Sequence, residues 1–156
     1  MTASVGDLAP NFTLPIVGGK TITLSDFALT DFARKKVIIY FYPKDATSGC
    51  TKEACDFRDN KLNFEKKNTI IIGISKDSVN SHEKFKEKEG LNFILATDET
   101  GEVCVKYGVW VEKSMYGRKY FGIQRSTFLI DEAGRITKIW RKVSVPGHVE
   151  EVLGVV

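Results

Sequence analysis

The residues best suited to chemistry lie together in one segment, YFYPKDATSGCTKEACDFRD, from Tyr40 to Asp59. Cys50 follows a loop and stands where a helix should begin. At such a position, unpaired amide N–H groups and the positive end of the helix dipole stabilise a thiolate. The chemistry implied is that of a nucleophilic sulfur. Thr47, three residues earlier, can turn its hydroxyl toward that sulfur or toward a bound oxygen. Pro43 ends the strand that feeds the loop and keeps some water out. A lone cysteine at a helix start is more often a small buried residue, but the spacing of Pro43, Thr47 and Cys50 argues for the reactive reading.

Cys55 lies five residues further on. Cα atoms at this spacing on a regular helix are ~8.6 Å apart, whereas a disulfide spans roughly 4.4–6.8 Å. The pair can join only if the first turns unwind, which would make oxidation a conformational switch. The plainer reading of Cys55 is a packed helix residue. Cys104, in the short amphipathic stretch EVCVKYGV, reads as a core residue, with a secondary redox role as the alternative. Arg125 opens a strand in GIQRSTFLID, where a cation between apolar segments is costly without an anionic partner. Strand ends converge in α/β sheets, so this permanent cation can face the Cys50 thiolate; a surface or salt-bridged arginine is the alternative. His82 and His148 read as surface residues, and neither has a metal-ligand spacing to cysteine, so no zinc site is expected. Gly19-Lys20-Thr21 imitates the end of a phosphate-binding loop, but that motif needs glycine where the chain has Leu14. It reads as a hairpin turn.

The elements that must position these residues follow from apolar patterning. Phe12–Pro15 and Lys20–Leu24 flank Gly18-Gly19 as a small hairpin. Val37–Tyr42 and Thr69–Ser75 are continuous apolar runs of buried-strand length. Thr51–Lys66 reads as a helix with Ala54, Phe57 and Phe64 inward. Ser81–Glu89 reads as a second helix with a solvated face, Glu83–Lys86 and Lys84–Glu87 standing at i,i+3. Phe93–Ala96 is a short strand and Gly101–Tyr107 a short helix. Ser126–Asp131 and Arg135–Trp140 form two strands around a Glu132-Ala133-Gly134 turn, and His148–Leu153 closes the chain with a helical turn or two. Strands spaced by helices indicate an α/β fold, a mixed central sheet flanked by helices on both faces.

The 156 residues suffice for a single domain, 1–156, with a core that needs no metal or disulfide staple. A 42% hydrophobic and 28% charged composition excludes disordered and collagenous chains. The balance of 23 basic against 20 acidic residues leaves +3, which makes no case for a nucleic-acid or membrane partner. Three cysteines do not make a secreted disulfide framework. The start, MTASVGDLAPNF, lacks a basic stretch followed by an apolar run, and a reducing cytoplasm is the expected location.

The segment closely resembles the peroxiredoxins, thiol peroxidases with a Pro-x-x-x-Thr/Ser-x-x-Cys signature, met here by Pro43, Thr47 and Cys50. A second cysteine five residues later, Cys55, is the mark of the peroxiredoxin Q group, also called bacterioferritin comigratory protein. The resemblance continues in VGDLAPNFTLP, EACDFRDN, YGVW, YGRKYFGIQRSTFLIDEAGRI and the terminal HVEEVL, about residues 4 to 153. It implies a thioredoxin-like fold with an N-terminal hairpin. It also implies reduction of hydrogen peroxide and organic hydroperoxides without metal, haem or flavin. By position, Cys50 would be the peroxidatic cysteine, Cys55 the resolving cysteine, and Pro43, Thr47 and Arg125 the rest of the catalytic set. Thioredoxin or a glutaredoxin would be the reductant, and a monomer is expected. Ser48 departs from the family, which commonly has proline there. The signature does not include that position, so activity is still expected. Two other readings of the same residues are a non-enzymatic redox sensor using the same disulfide and a cysteine hydrolase, the latter without a well-placed histidine.

Overall fold

Two strands with no polar face, β3 (Lys36–Phe41, KVIIYF) and β4 (Thr69–Ser75, TIIIGIS), pair in parallel near the middle of the molecule. Their β-branched and aromatic side chains suit a strand buried on both faces. The computed structural model describes residues 3–28 and 34–156. Around the central pair the chain builds a seven-stranded mixed sheet. The N-terminal hairpin, β1 (Thr13–Ile16) and β2 (Lys20–Thr23), is followed by the short helix α1 (Ser25–Ala28). After β3 come α2 (Ser48–Lys66), β4, α3 (Val79–Glu89), β5 (Ile94–Thr97) and α4 (Glu102–Lys106). The hairpin β6 (Trp110–Met115) and β7 (Arg118–Ile123) stands apart as its own sheet, before β8 (Ser126–Ile130), β9 (Ile136–Trp140) and α5 (His148–Val155). The large sheet runs β2-β1-β5-β4-β3-β8-β9, with β8 antiparallel to β3.

Alternation along β3 divides the core in two. Val37, Ile39 and Phe41 face a cluster that includes Phe12, Cys104, Tyr107 and Phe128. Ile38, Tyr40 and Tyr42 face the other, where α2 contributes Cys50, Ala54, Phe57 and Phe64, α3 contributes Phe85, and α5 contributes Val149 and Val152. The inward set read from the α2 sequence is therefore the buried one. No helix among the described residues is long and apolar enough to cross a membrane.

Three features differ from the sequence reading. The β6–β7 hairpin was not anticipated. Its two-residue loop, Tyr116-Gly117, has φ of 52° and 77°, the left-handed pair of a type I′ turn, but with tyrosine where Asn or Asp is the usual signal. The i,i+3 pairs expected in α3 do not close; the helix ion pairs are Lys52–Asp56 and Lys61–Glu65 at i,i+4. Both histidines are buried, His82 fully and His148 to 4% exposure, not at the surface.

Gly73 in β4 sits against Tyr40, and a Cβ there would come within 2.9 Å of Leu95 Cδ2 and of the Tyr40 Cζ and Oη atoms. Gly73→Ala is expected to destabilise the fold by roughly 1–3 kcal/mol, the usual cost of overpacking a tight core. The check is a lower urea midpoint at unchanged m-value; an unchanged midpoint would show that the Tyr40 ring can move aside.

Candidate active site

The start of α2 is placed by the end of β3. Phe41 pairs with Ser126, so the antiparallel entry of β8 brings Arg125 beside the β3–α2 loop. Thr47 occupies the N-cap position (φ −80°, ψ 156°), and its carbonyl accepts from the Thr51 amide at 2.8 Å. Its hydroxyl, read from the sequence as able to turn toward the sulfur or toward a bound oxygen, does not point at the sulfur here. It donates back to the Lys44 carbonyl at 2.8 Å and makes no bond to the helix amides. Without a side-chain cap, the first-turn N–H groups are left for an anion. Ser48 is the first helical residue, where proline is favoured because its missing N–H is not needed there. Pro43 lies exposed just beyond the strand.

Cys50 is 2% exposed, and Arg125 Nη2 donates to its Sγ at 3.3 Å. The other guanidinium nitrogen, Nη1, donates to Glu53 Oε1 at 2.6 Å. Glu53 is fully buried and its Oε2 has no partner. Burial pushes the Glu53 carboxyl up to about 7, against the pull of Arg125 and with a small contribution from Asp56. Gly49 makes the approach possible: a Cβ there would stand 3.3 Å from Arg125 Nη2. Arg125 opens onto a cleft walled by Val111, Lys113 and Tyr120 of the β6–β7 hairpin and by Lys142 and Val143. Lys113 donates to the Ile123 carbonyl at 2.5 Å; burial, then the charge of Arg125, lowers its pKa.

Of the residues singled out in the sequence, Cys50 and Arg125 are in contact, and Pro43 and Thr47 belong to the adjoining loop. Cys55 is held apart. It lies half-buried on the unbroken α2, a free thiol like Cys50, with its Sγ 3.9 Å from Glu89 Oε2. Burial raises the Cys55 thiol pKa, aided by Glu89, Asp59 and Asp56 and opposed by Arg58. Cys104 is fully buried, and burial together with Asp98 pushes its thiol up, as suits a core residue.

Glu53, Gly49 and Lys113 were missed. A signal existed for Glu53: three residues beyond Cys50 it shares that helix face. The histidines were misplaced because their partners are distant in sequence: Asp45 for His82 at 2.7 Å, and Thr127 for His148 at 2.8 Å. Among the described residues one group could offer three metal ligands, Asp45, Asp77 and His82, within 4.8 Å of one another. Those atoms are engaged in hydrogen bonds, Asp45 with His82 and Asp77 with Ser75.

A thiol at an uncapped helix start, held by an arginine on a thioredoxin-like scaffold, defines a thiol-based redox enzyme. Residues 5–139 match the family model described as the AhpC/TSA family. Peroxiredoxin Bcp of Bacillus subtilis is 47% identical, over 98% of this chain and 94% of its own. The solved structure of a Xylella fastidiosa PrxQ cysteine mutant superposes with a TM-score of 0.91 at 39% identity, covering 99% of this chain and 96% of that one. Bacterioferritin comigratory protein of Xanthomonas campestris, solved to explain its alkyl peroxide reduction activity, superposes with a TM-score of 0.88 at 38% identity, covering 98% and 94%. The chain belongs to the AhpC/TSA family and, within it, to the peroxiredoxin Q or Bcp group. It is a thiol peroxidase, with a peroxide as substrate and a thiol as reductant.

The buried Glu53 carboxyl gives the fold a pH signature. Its pKa of about 7 lies above the ordinary 4.5, so between those values the folded chain holds a proton that the unfolded chain releases. The stability this confers is complete below about 4.5 and is lost as pH rises through about 7. Urea unfolding at pH 5 and pH 8 is expected to show that loss in the wild type and to show it flattened in Glu53→Gln.

Proposed function

We propose that Cys50 is the peroxidatic cysteine and that Cys55 resolves it within the same chain. The observation that carries this reading is the 3.3 Å contact from Arg125 Nη2 to Cys50 Sγ at a helix start with no side-chain cap. The thiolate attacks one peroxide oxygen in line. An S–O bond forms, the O–O bond breaks, and the leaving oxygen departs as water or an alcohol after taking a proton. As charge passes from sulfur to the leaving oxygen, Arg125 and the first-turn amides stabilise it at both ends of the transfer. Thr47 accepts from or donates to the peroxide once its hydroxyl turns from Lys44, and Pro43 fixes the exit from β3.

The Cys50 sulfenic acid then condenses with the Cys55 thiol, forming the S–S bond and releasing water. That step requires the first turns of α2 to unwind, since an intact helix holds the two Cα atoms ~8.6 Å apart. An external dithiol protein, thioredoxin or a glutaredoxin, restores both thiols by exchange. Because both sulfurs come from one helix, the cycle closes in a monomer. The low-potential thiol pool it needs is that of a reducing cytoplasm. The cleft beside Arg125, with Val111, Tyr120 and Val143 on its walls, favours organic hydroperoxides alongside hydrogen peroxide. The alkyl peroxide activity described for the Xanthomonas protein supports this.

Peroxide consumption coupled to thioredoxin and NADPH is expected to vanish in Cys50→Ser; full activity in that variant would sink the reading. Arg125→Met is expected to slow oxidation by about 10²–10³-fold, the usual loss of one preorganised donor. After one equivalent of peroxide, peptide mass spectrometry is expected to find Cys50 joined to Cys55. A Cys50–Cys104 link would reassign the resolving residue.

A further inference from the structure

The loop that delivers Cys50 contains a backbone conformation its residue type disfavours. Ala46 has φ of 63°, in the left-handed region, where a Cβ crowds the neighbouring carbonyl. Asp45 precedes it and Thr47 follows. Such a conformation persists only where its surroundings over-determine it, and Asp45 is where those surroundings act. The Asp45 carboxylate, 7% exposed, accepts from the Tyr42 hydroxyl at 2.5 Å, from His82 Nδ1 at 2.7 Å and from the Ser81 hydroxyl at 2.8 Å. Its own amide donates to Asp77 at 2.8 Å. Burial opposes its ionisation, but the bonds from His82, Tyr42 and Ser81 outweigh that and hold the carboxyl below its ordinary value.

His82 is the member of this network that nothing in the peroxide chemistry uses. It is fully buried on α3, and its Nε2 lies 3.1 Å from the Ala96 carbonyl of β5. Nδ1 thus faces the Asp45 carboxylate and, at 3.4 Å, the Tyr42 hydroxyl, while Nε2 faces a carbonyl that only accepts. The groups around the ring are Tyr42 just beyond β3, Asp45 and Asp77 from the loops, and the Ala96 carbonyl; Lys84 and Lys88 line the adjoining surface cavity. A buried polar contact is a poor route to stability compared with apolar packing. What it supplies here is direction, because it ties the loop to α3 and β5 at one point.

We propose that His82 is a positioning residue for peroxide reduction: through Asp45 it holds Ala46 left-handed and thereby sets Thr47 and the first turn of α2. The proposal rests on Cys50 being the peroxidatic residue. Without the anchor, Ala46 relaxes to negative φ and Thr47 and the Cys50 amide move off register. A glycine at 46 adopts the left-handed conformation freely and needs no anchor.

The test is stopped-flow measurement of Cys50 oxidation by hydrogen peroxide in His82→Gln, Ala46→Gly and the double variant, with the reductant step measured separately. His82→Gln is expected to slow oxidation about tenfold, the scale set by left-handed strain, while the reductant step stays at the wild-type rate. Ala46→Gly alone is expected to stay within about twofold of wild type, and the double variant to recover most of the loss. Wild-type oxidation in His82→Gln overturns the proposal, as does a double variant no faster than His82→Gln. If His82→Gln does not fold, Asp45→Asn with and without Ala46→Gly puts the same question. Cys50→Ser is run alongside: peroxide consumption persisting there would condemn the assignment of Cys50 instead.

Discussion

One guanidinium divides itself between a thiol and a buried carboxylate, and most of the site's construction follows from that division. Arg125 reaches Cys50 with one nitrogen and Glu53 with the other. A planar fork with fixed donors can do this, whereas a lysine ammonium would present a single point of charge. The contact demands three things of the chain. The antiparallel β3–β8 pairing must bring the start of β8 to the end of β3. The helix must begin at Ser48 so that Cys50 and Glu53 share a face. Position 49 must leave room for the guanidinium, which glycine does: a Cβ there would stand 3.3 Å from Arg125 Nη2. Each of these is a property of the scaffold, set before any peroxide arrives.

Glu53 complicates that arrangement in a useful way. It stands between the two cysteines and is wholly buried, so the unwinding proposed to join Cys50 to Cys55 would also lift Glu53 from its place against Arg125. Leaving a charged carboxylate unpaired in the interior would be far costlier than leaving a neutral one. A carboxyl that burial pushes up to about 7 takes a proton more readily than an ordinary one, which would ease that departure. The same residue therefore holds Arg125 beside Cys50 and sits on the turn that the proposed resolution step would open.

Much of this was legible in the sequence, for identifiable reasons. β3 and β4 are apolar throughout, and α2 carries Ala54, Phe57 and Phe64 at helical spacing, so local pattern alone places them. The meeting of Arg125 with Cys50 follows from the rule that strand ends converge in an α/β sheet. What failed depended on contacts between distant segments. Nothing near His82 indicates that Asp45, 37 residues earlier, will bury it. For Thr47 the competition is local: its hydroxyl was read as able to turn toward the sulfur or a bound oxygen, and the carbonyl of Lys44, three residues back, takes it. The β6–β7 hairpin escaped notice because Tyr116 takes a left-handed place that usually announces itself as Asn or Asp.

The loop from Pro43 to Cys50 is consequently fixed from two sides by buried hydrogen-bonded pairs, Asp45 with His82 on one flank and Glu53 with Arg125 on the other. Apolar packing of the same volume would stabilise such a loop at least as well. It would not fix the direction of the chain between the pairs, because apolar contacts tolerate sliding while a short hydrogen-bonded ion pair does not. The first-turn amides of α2 can serve a transition state only if they point at it to within a few tenths of an ångström. Two directional anchors with a left-handed residue between them meet that tolerance using few residues, at the cost of desolvating four polar side chains. The stability surrendered is of the kind active sites commonly exchange for geometry, and here its location marks which segment the chemistry requires to be rigid before it requires it to move.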